Sequence, residues 1–331
     1  MVLVAASAAS CSRGPASQAD PVSVPMVLPL RVPGRPAFDV RHQRRQGIAS
    51  LSVPALDVRT EARAAVGQRM FFDGSLGGDG QVACVRCHHA ETAGAGPAQT
   101  LADVGHLDVP PLLNLHAYER FGTDGAAKEL AVYMGAHLAQ LSAGADIAAR
   151  DLAIDTTHGG RLRLLFATAD GEAAVPVSTM ASRALAAYVD SLVAPGRVDA
   201  FLAGKDDALT DKESHGFDVF FERGCVSCHD GPAFGGRKMA TLGLVRPWPG
   251  DAPLGEHIPW SPKRSRRVSS LRAVAVTAPY FHEGAIDSLP TAVSLMAEHQ
   301  LGVTLTPEDR DAIVSFLLAL NAPSPASFRA P

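Results

Sequence analysis

"CVRCHH" (residues 84–89) and "CVSCHD" (residues 225–230) repeat one pattern, and between them they use four of the chain's five cysteines. Two C-x-x-C pairs can build one zinc site, but a zinc ribbon separates its pairs by about 15–20 residues. Here about 140 residues intervene. A thioredoxin-like redox pair needs a βαβ setting, and the flanking sequence offers none. The residue after each pair decides the reading. His88 and His229 complete C-x-x-C-H, the attachment signature of a c-type haem. Cys84, Cys87, Cys225 and Cys228 supply thiols for the haem vinyl groups, and each His is set to become the proximal ligand of its iron. Two such motifs in a cysteine-poor chain predict two covalent haems. His89 adjoins His88 and cannot face the same iron, so it reads as a polar surface or propionate-side residue.

The chain has 331 residues, 47% of them hydrophobic, which is enough for two domains with a core each. Its formal net charge of −4 gives no basic excess of the kind a nucleic-acid binder shows. Aromatic residues make up only 6%, so a large apolar cofactor has core volume to fill.

The start, "MVLVAASAASC" (residues 1–11), is too short and too small-residue-rich to span a bilayer as a helix. It resembles the end of a signal peptide. Its "AASC" ending also resembles a lipobox, in which Cys11 becomes the lipidated first residue; an ordinary signal peptide is the other reading. Either way an exported, periplasmic protein is expected, because bacterial c-type haem attachment takes place outside the cytoplasm. Residues 12–54 contain seven prolines and read as a flexible or partly extended tether.

From Leu56 onward the periodicity is helical. "TEARAAVGQRMFF" places Ala62, Val66 and Met70 on one face, and "AAKELAVYMGAHLAQLS" does so with Leu130, Met134, Leu138 and Leu141. "SRALAAYVDSLVA" adds Leu185, Val189, Leu192 and Val193. Thr210 and Glu213 form a capping box ahead of "SHGFDVFFERG", with Gly224 as the stop. Thr306 caps "TPEDRDAIVSFLLAL", whose apolar stripe is Ile313, Phe316, Leu317 and Leu320. Only "RLRLLFA" (161–167) looks strand-like. The unit of helix, C-x-x-C-H, loop-rich stretch and helix thus occurs twice. An all-α protein is predicted, with two cytochrome c-like domains at about 55–205 and 206–325, each carrying one c-type haem.

This layout resembles the bacterial di-haem cytochrome c peroxidase family, which includes the di-haem enzyme of methylamine utilisation. The likeness spans residues 60–322. "GQRMFFDGSLGGDGQVACVRCHH" is similar to the family's first-haem entry and "FFERGCVSCHDGPAFGG" to its second. "SLRAVAVTAPYFHEGAIDSLPTAV" matches the family's most recognisable segment. The resemblance implies reduction of hydrogen peroxide to water: a small cytochrome or cupredoxin feeds the C-terminal haem, which relays electrons to the peroxidatic N-terminal haem. It places Met296 as distal ligand of the C-terminal haem, His106 as displaceable sixth ligand of the N-terminal one, and His282 at a haem edge. Thr277 and Pro279 match backbone contributors to an inter-haem calcium site, and Asp108 stands where the family has an asparagine ligand. A homodimer is implied as well. His116, His137, His215 and His299 have no motif support as ligands.

Two departures from the family bear on mechanism. In "FGTDGAAKE", Thr123 and Ala126 stand where the family has an inter-haem Trp and an Arg. The family's proton-moving glutamate run is also missing from "AVYMGAHLAQLSAGAD", and a peroxidase needs an acid–base group there. Glu129 lies a few turns early, and His137 is the other substitute. These departures keep two alternatives open: an enzyme that oxidises residues of a partner protein, as in methylamine utilisation, and a non-enzymatic di-haem electron carrier.

Overall fold

The computed structural model describes residues 40–76, 83–101, 105–141, 147–166, 175–248, 265–281 and 284–331. Residues Val40–Pro331 form one compact unit. The signal segment, Cys11 and most of the Pro-rich run lie outside the described residues, as does His282.

Among the described residues ten α-helices carry the fold: α1 (Val40–Gln46), α2 (Val58–Phe72), α3 (Leu130–Leu141), α4 (Ile147–Ile154), α5 (Gly160–Phe166), α6 (Val177–Asp190), α7 (Arg197–Leu202), α8 (Asp211–Glu222), α9 (Leu289–Met296) and α10 (Pro307–Ala319). The expectation of helix throughout needs a small correction, because four short strands also form among the described residues. β1 (Gly96–Leu101) pairs antiparallel with β2 (Gly105–Val109), and β3 (Met239–Thr241) pairs with β4 (Ser265–Arg267). The strand-like reading of 161–167 is overturned as well. A strand would bury Leu162, Leu164 and Phe166 on one face. Instead Leu162 and Phe166, four apart, are buried while Leu164 is 78% exposed, which is helical spacing.

Two hydrophobic cores result. The first gathers α2, α3, α5 and α6 with Leu112, Leu115, Tyr118 and Phe121 from the connecting loop. The second gathers α7, α8 and α10 around Phe201, Phe217, Phe220, Phe234 and Phe316. Each core is closed by a pair of helices that touch backbone to backbone at a glycine. A Cβ on Gly67 of α2 would lie 2.1 Å from the Ala184 carbonyl oxygen of α6. One on Gly216 of α8 would lie 1.9 Å from the Ala312 carbonyl oxygen of α10. Only glycine permits such an approach, and the same device appears once in each half.

The halves are strapped crosswise by the ends of the chain. Residues 40–51, the end of the segment expected to be a tether, pack on the second core through Ile48. Arg41 and Arg44 of α1 pair with Asp218 of α8, and the Arg45 guanidinium lies 3.8 Å from the Phe201 ring centroid. At the other end, residues beyond α10 return to the first core. Phe328 is buried there, 5.9 Å from the Phe71 ring centroid, and the Tyr188 hydroxyl donates to the Ser327 carbonyl at 2.9 Å.

Candidate haem-attachment sites

Both C-x-x-C-H motifs fold into the same turn. Cys84–Arg86 and Cys225–Ser227 are single turns of 3₁₀ helix. The His88 amide donates to the Cys84 carbonyl at 3.0 Å, and the His229 amide donates to the Cys225 carbonyl, also at 3.0 Å. The compact turn gathers both thiols and the His at one place, which spacing alone could only suggest.

The imidazoles are oriented from behind. His88 Nδ1 lies 2.6 Å from the Gly94 carbonyl, and His229 Nδ1 lies 3.3 Å from the Phe234 carbonyl and 3.2 Å from the Ser269 carbonyl. A carbonyl only accepts, so Nδ1 carries the proton in each ring and Nε2 keeps its lone pair. This is the arrangement of a metal-ligating histidine. Burial lowers the His88 pKa to about 4 against the opposing pull of the Gly94 carbonyl. Burial lowers that of His229 too, against the Phe234 and Ser269 carbonyls. Both rings are therefore neutral at pH 7, as an iron ligand must be.

The thiols agree. All four cysteines are free of disulfides. Burial pushes the Cys84 thiol up to about 12 and the Cys225 thiol up to about 11. These thiols suit thioether attachment, for which they are the unmodified stand-ins. The donor set at each site thus fits a c-type haem.

Around His88 stand Phe71 of α2 and His137 of α3, each ring centroid 6.4 Å from that of His88. Tyr133 stacks on His137 at 6.0 Å and 15°. Of the two residues offered as substitutes for the missing glutamate, only His137 reaches this site; Glu129 is exposed ahead of α3. Burial lowers the pKa of His137.

The other predicted residues fall as follows. Met296 closes α9, half-buried, where the helix widens into a π turn over Ala297–Leu301; such turns recur at functional sites. His106 and Asp108 lie on β2, with His106 paired to Thr100. Thr277 is half-buried, and its hydroxyl lies 3.3 Å from the Val274 carbonyl; a cis peptide joins Ala278 to Pro279. Among the described residues no group of three or more His, Cys, Asp or Glu gathers to hold a metal ion. His89 is anchored to the Arg86 carbonyl at 3.1 Å, His116 pairs with Asp190 at 2.9 Å, His215 is exposed, and His299 lies edge-on to Trp248.

The segment that departs from the family, "FGTDGAAKE", forms the seam between the halves. The Arg267 amide donates to the Thr123 carbonyl at 2.8 Å, and its Nε donates to the Gly122 carbonyl at 3.1 Å. The same guanidinium lies 4.8 Å from the Tyr118 ring centroid. Two features near the first motif were not read from the sequence. One is the Tyr133–His137 stack. The other is a buried His158 whose Nε2 meets Asp73, 85 positions away, from a π turn over Asp155–Gly159. The i, i+4 spacing of Tyr133 and His137 could have signalled the first; nothing local signals the second.

A sequence model described as di-haem cytochrome c peroxidase matches residues 61–207. The cytochrome c551 peroxidase of Pseudomonas aeruginosa is 30% identical over 283 residues, covering 80% of this chain and 80% of that one. The chain belongs to the di-haem cytochrome c peroxidase family. This makes it an oxidoreductase of the di-haem peroxidase type. The cytochrome c551 peroxidase of Nitrosomonas europaea is 29% identical over 276 residues, covering 79% of this chain and 80% of that relative. The fold is shared with the crystal structure of a MauG-like protein associated with microbial copper homeostasis: TM-score 0.65, 22% identity, 86% of this chain and 97% of that one. No helix among the described residues is long and apolar enough to cross a membrane.

Proposed function

We propose that this family member reduces hydrogen peroxide to water with electrons from a small cytochrome or cupredoxin, in the periplasm. The observation that carries the reading is the repeated C-x-x-C-H turn, with each imidazole held by a carbonyl at Nδ1 and its Nε2 left for iron. When bound, two c-type haems supply electron transfer through the protein and an iron at which peroxide can be reduced.

The chain's own residues do the rest. Cys84, Cys87 and His88 hold one group, in a half proposed to span 55–205; Cys225, Cys228 and His229 hold the other, in a half spanning 206–325. The Gly94, Phe234 and Ser269 carbonyls fix the two imidazoles. Met296 offers the second half a soft thioether; for the first half the family resemblance offers His106, on the β1–β2 hairpin, as a candidate ligand to be weighed against His137. The family resemblance would put His282 beside a haem. The bond between the peroxide oxygens needs a proton moved from one oxygen to the other. His137, neutral through burial, is the group near His88 that can take and return it, and Tyr133 orients its ring. Asp108, with the Thr277 and Pro279 carbonyls, supplies hard oxygen donors of the kind calcium takes. Cys11 serves as a lipid anchor if the leader is a lipobox, and the protein pairs as a homodimer.

A peroxide titration of the half-reduced holoprotein, followed by stopped-flow with a reduced small cytochrome as donor, tests the reading. Donor oxidation in proportion to peroxide consumed is the expected result. Peroxide consumption without donor oxidation would point to a partner protein as the oxidised substrate. No reaction would leave an electron carrier.

A further inference from the structure

We infer that His137, carried by α3, faces His88 across the iron position and is the sixth ligand of the N-terminal haem, in place of His106. The inference rests on the reading of Cys84–His88 as a haem site, and it deepens the proposed function at that site.

The first observation is distance. The His88 and His137 ring centroids lie 6.4 Å apart with their planes at 66°. An imidazole nitrogen binds a first-row metal at about 2 Å, and its ring centre lies about 1 Å further out, so two rings on opposite sides of one metal sit roughly 6 Å apart. The interplanar angle is no obstacle, since each axial ring can rotate about its metal–nitrogen bond.

Distance alone does not decide, because Phe71 is also 6.4 Å from His88. Phe71 has no donor atom. His137 has two ring nitrogens, and among the described residues neither has a hydrogen-bond partner. The ring is half-buried, so either nitrogen is available to a metal. His88 shows the complementary feature: its Nδ1 is committed to the Gly94 carbonyl, which leaves Nε2 for iron. Tyr133, one helical turn earlier on α3, stacks on His137 at 15° and limits its rotation. The ring is thus held by a helix and by a neighbouring ring, as a preorganised ligand should be.

The assignment constrains the chemistry. A nitrogen bound to iron cannot at the same time take a proton. His137 must therefore leave the iron before it acts as the base of the proposed reaction, and one side chain both closes the site at rest and serves it when open.

The test is electron paramagnetic resonance and optical spectroscopy of the oxidised full-length holoprotein, alongside His137→Gly, His137→Gln and His106→Gly. The unmodified N-terminal haem should be low-spin with two nitrogen ligands. Both His137 variants should turn that haem high-spin, and added imidazole should return His137→Gly to low-spin. His106→Gly should stay low-spin. The C-terminal haem's spectrum, unchanged in each variant, reports that the protein has folded, and imidazole rescue reports that the pocket has formed. A high-spin N-terminal haem in the unmodified protein would overturn the inference, as would a low-spin one surviving in His137→Gln. The expected spectral pattern in a protein that fails to oxidise its donor would support the ligand assignment and sink the peroxidase reading alone.

Discussion

Arg272 meets Asp199 through two parallel hydrogen bonds, Nη1 to Oδ2 at 2.9 Å and Nη2 to Oδ1 at 2.6 Å, with both residues buried. Asp199 also accepts from the Leu51 amide at 2.6 Å and the Gly196 amide at 2.7 Å. Arg272 Nε donates to the Pro232 carbonyl at 2.5 Å. One ion pair therefore joins the docked N-terminal arm, α7 and the loop that follows His229. Removing one partner leaves the other charge buried and unpaired, which costs about 3–5 kcal/mol. Arg272→Met should lower the apparent stability of the holoprotein by that order in urea titration. The Asp199→Ala, Arg272→Met double variant should lose less than the sum of the single variants. Additive losses would mean that the two side chains are not energetically coupled.

The second strap gives a separate prediction. Phe328 is 1% exposed, against the core of α2 and α6, although it lies beyond the last helix of the other half. Phe328→Ala removes a buried ring and should cost about 3–5 kcal/mol. Hydrogen exchange should locate the loss. Amides of α2 and α6 should lose protection before those of α8 and α10. Equal loss in both halves would show that the tail stabilises the molecule as a whole.

Acid should weaken the start of α8 in a defined window. Glu213 is held down to about 2, from an ordinary 4.5, chiefly by its hydrogen bond to Arg197 and further by the Thr210 amide and hydroxyl. A depressed folded-state pKa stabilises above the unfolded value and is lost as protons bind the folded form. The contribution is thus complete above pH 4.5 and disappears as pH falls toward 2. Arg197 is 54% exposed, so solvent screening holds the gain to about 1 kcal/mol. Glu213→Gln should reduce stability at pH 7 by that amount and flatten the acid limb of the stability profile. An unchanged acid limb would remove Glu213 as its source.

Local chemistry was legible in the sequence where it is local in space. The C-x-x-C-H turns, the Thr210–Glu213 box and the stripe of α10 each depend on residues within one or two turns, so spacing points to them. "RLRLLFA" misled because three alternating apolar residues fit a strand until the exposure of Leu164 is known. The crosswise straps were illegible because Ile48 and Phe328 find their cores across most of the chain, and no periodicity encodes a destination. The setting of His137 was half legible. Its position on an amphipathic helix could be read, but its approach to His88, 49 positions earlier, depends on how α3 packs against α6 in the first core.

Met296 offers the most direct test of the second half. It sits where α9 widens into a π turn, and that widening lets a helix reorient one side chain without ending. Its neighbours Leu295 and Val293 are half-buried like Met296 itself, so a packing role and a ligand role make different predictions. A thioether ligand raises the potential of a His-ligated haem. Met296→Ala should therefore lower the midpoint of the C-terminal haem by a large margin in a spectroelectrochemical titration, while Met296→Leu, which keeps the volume, should lower it as far. Stability should separate the variants differently, with Leu close to wild type and Ala losing about 2–5 kcal/mol if the site is well packed. A midpoint unmoved by both substitutions would leave Met296 as a packing residue and require another ligand opposite His229.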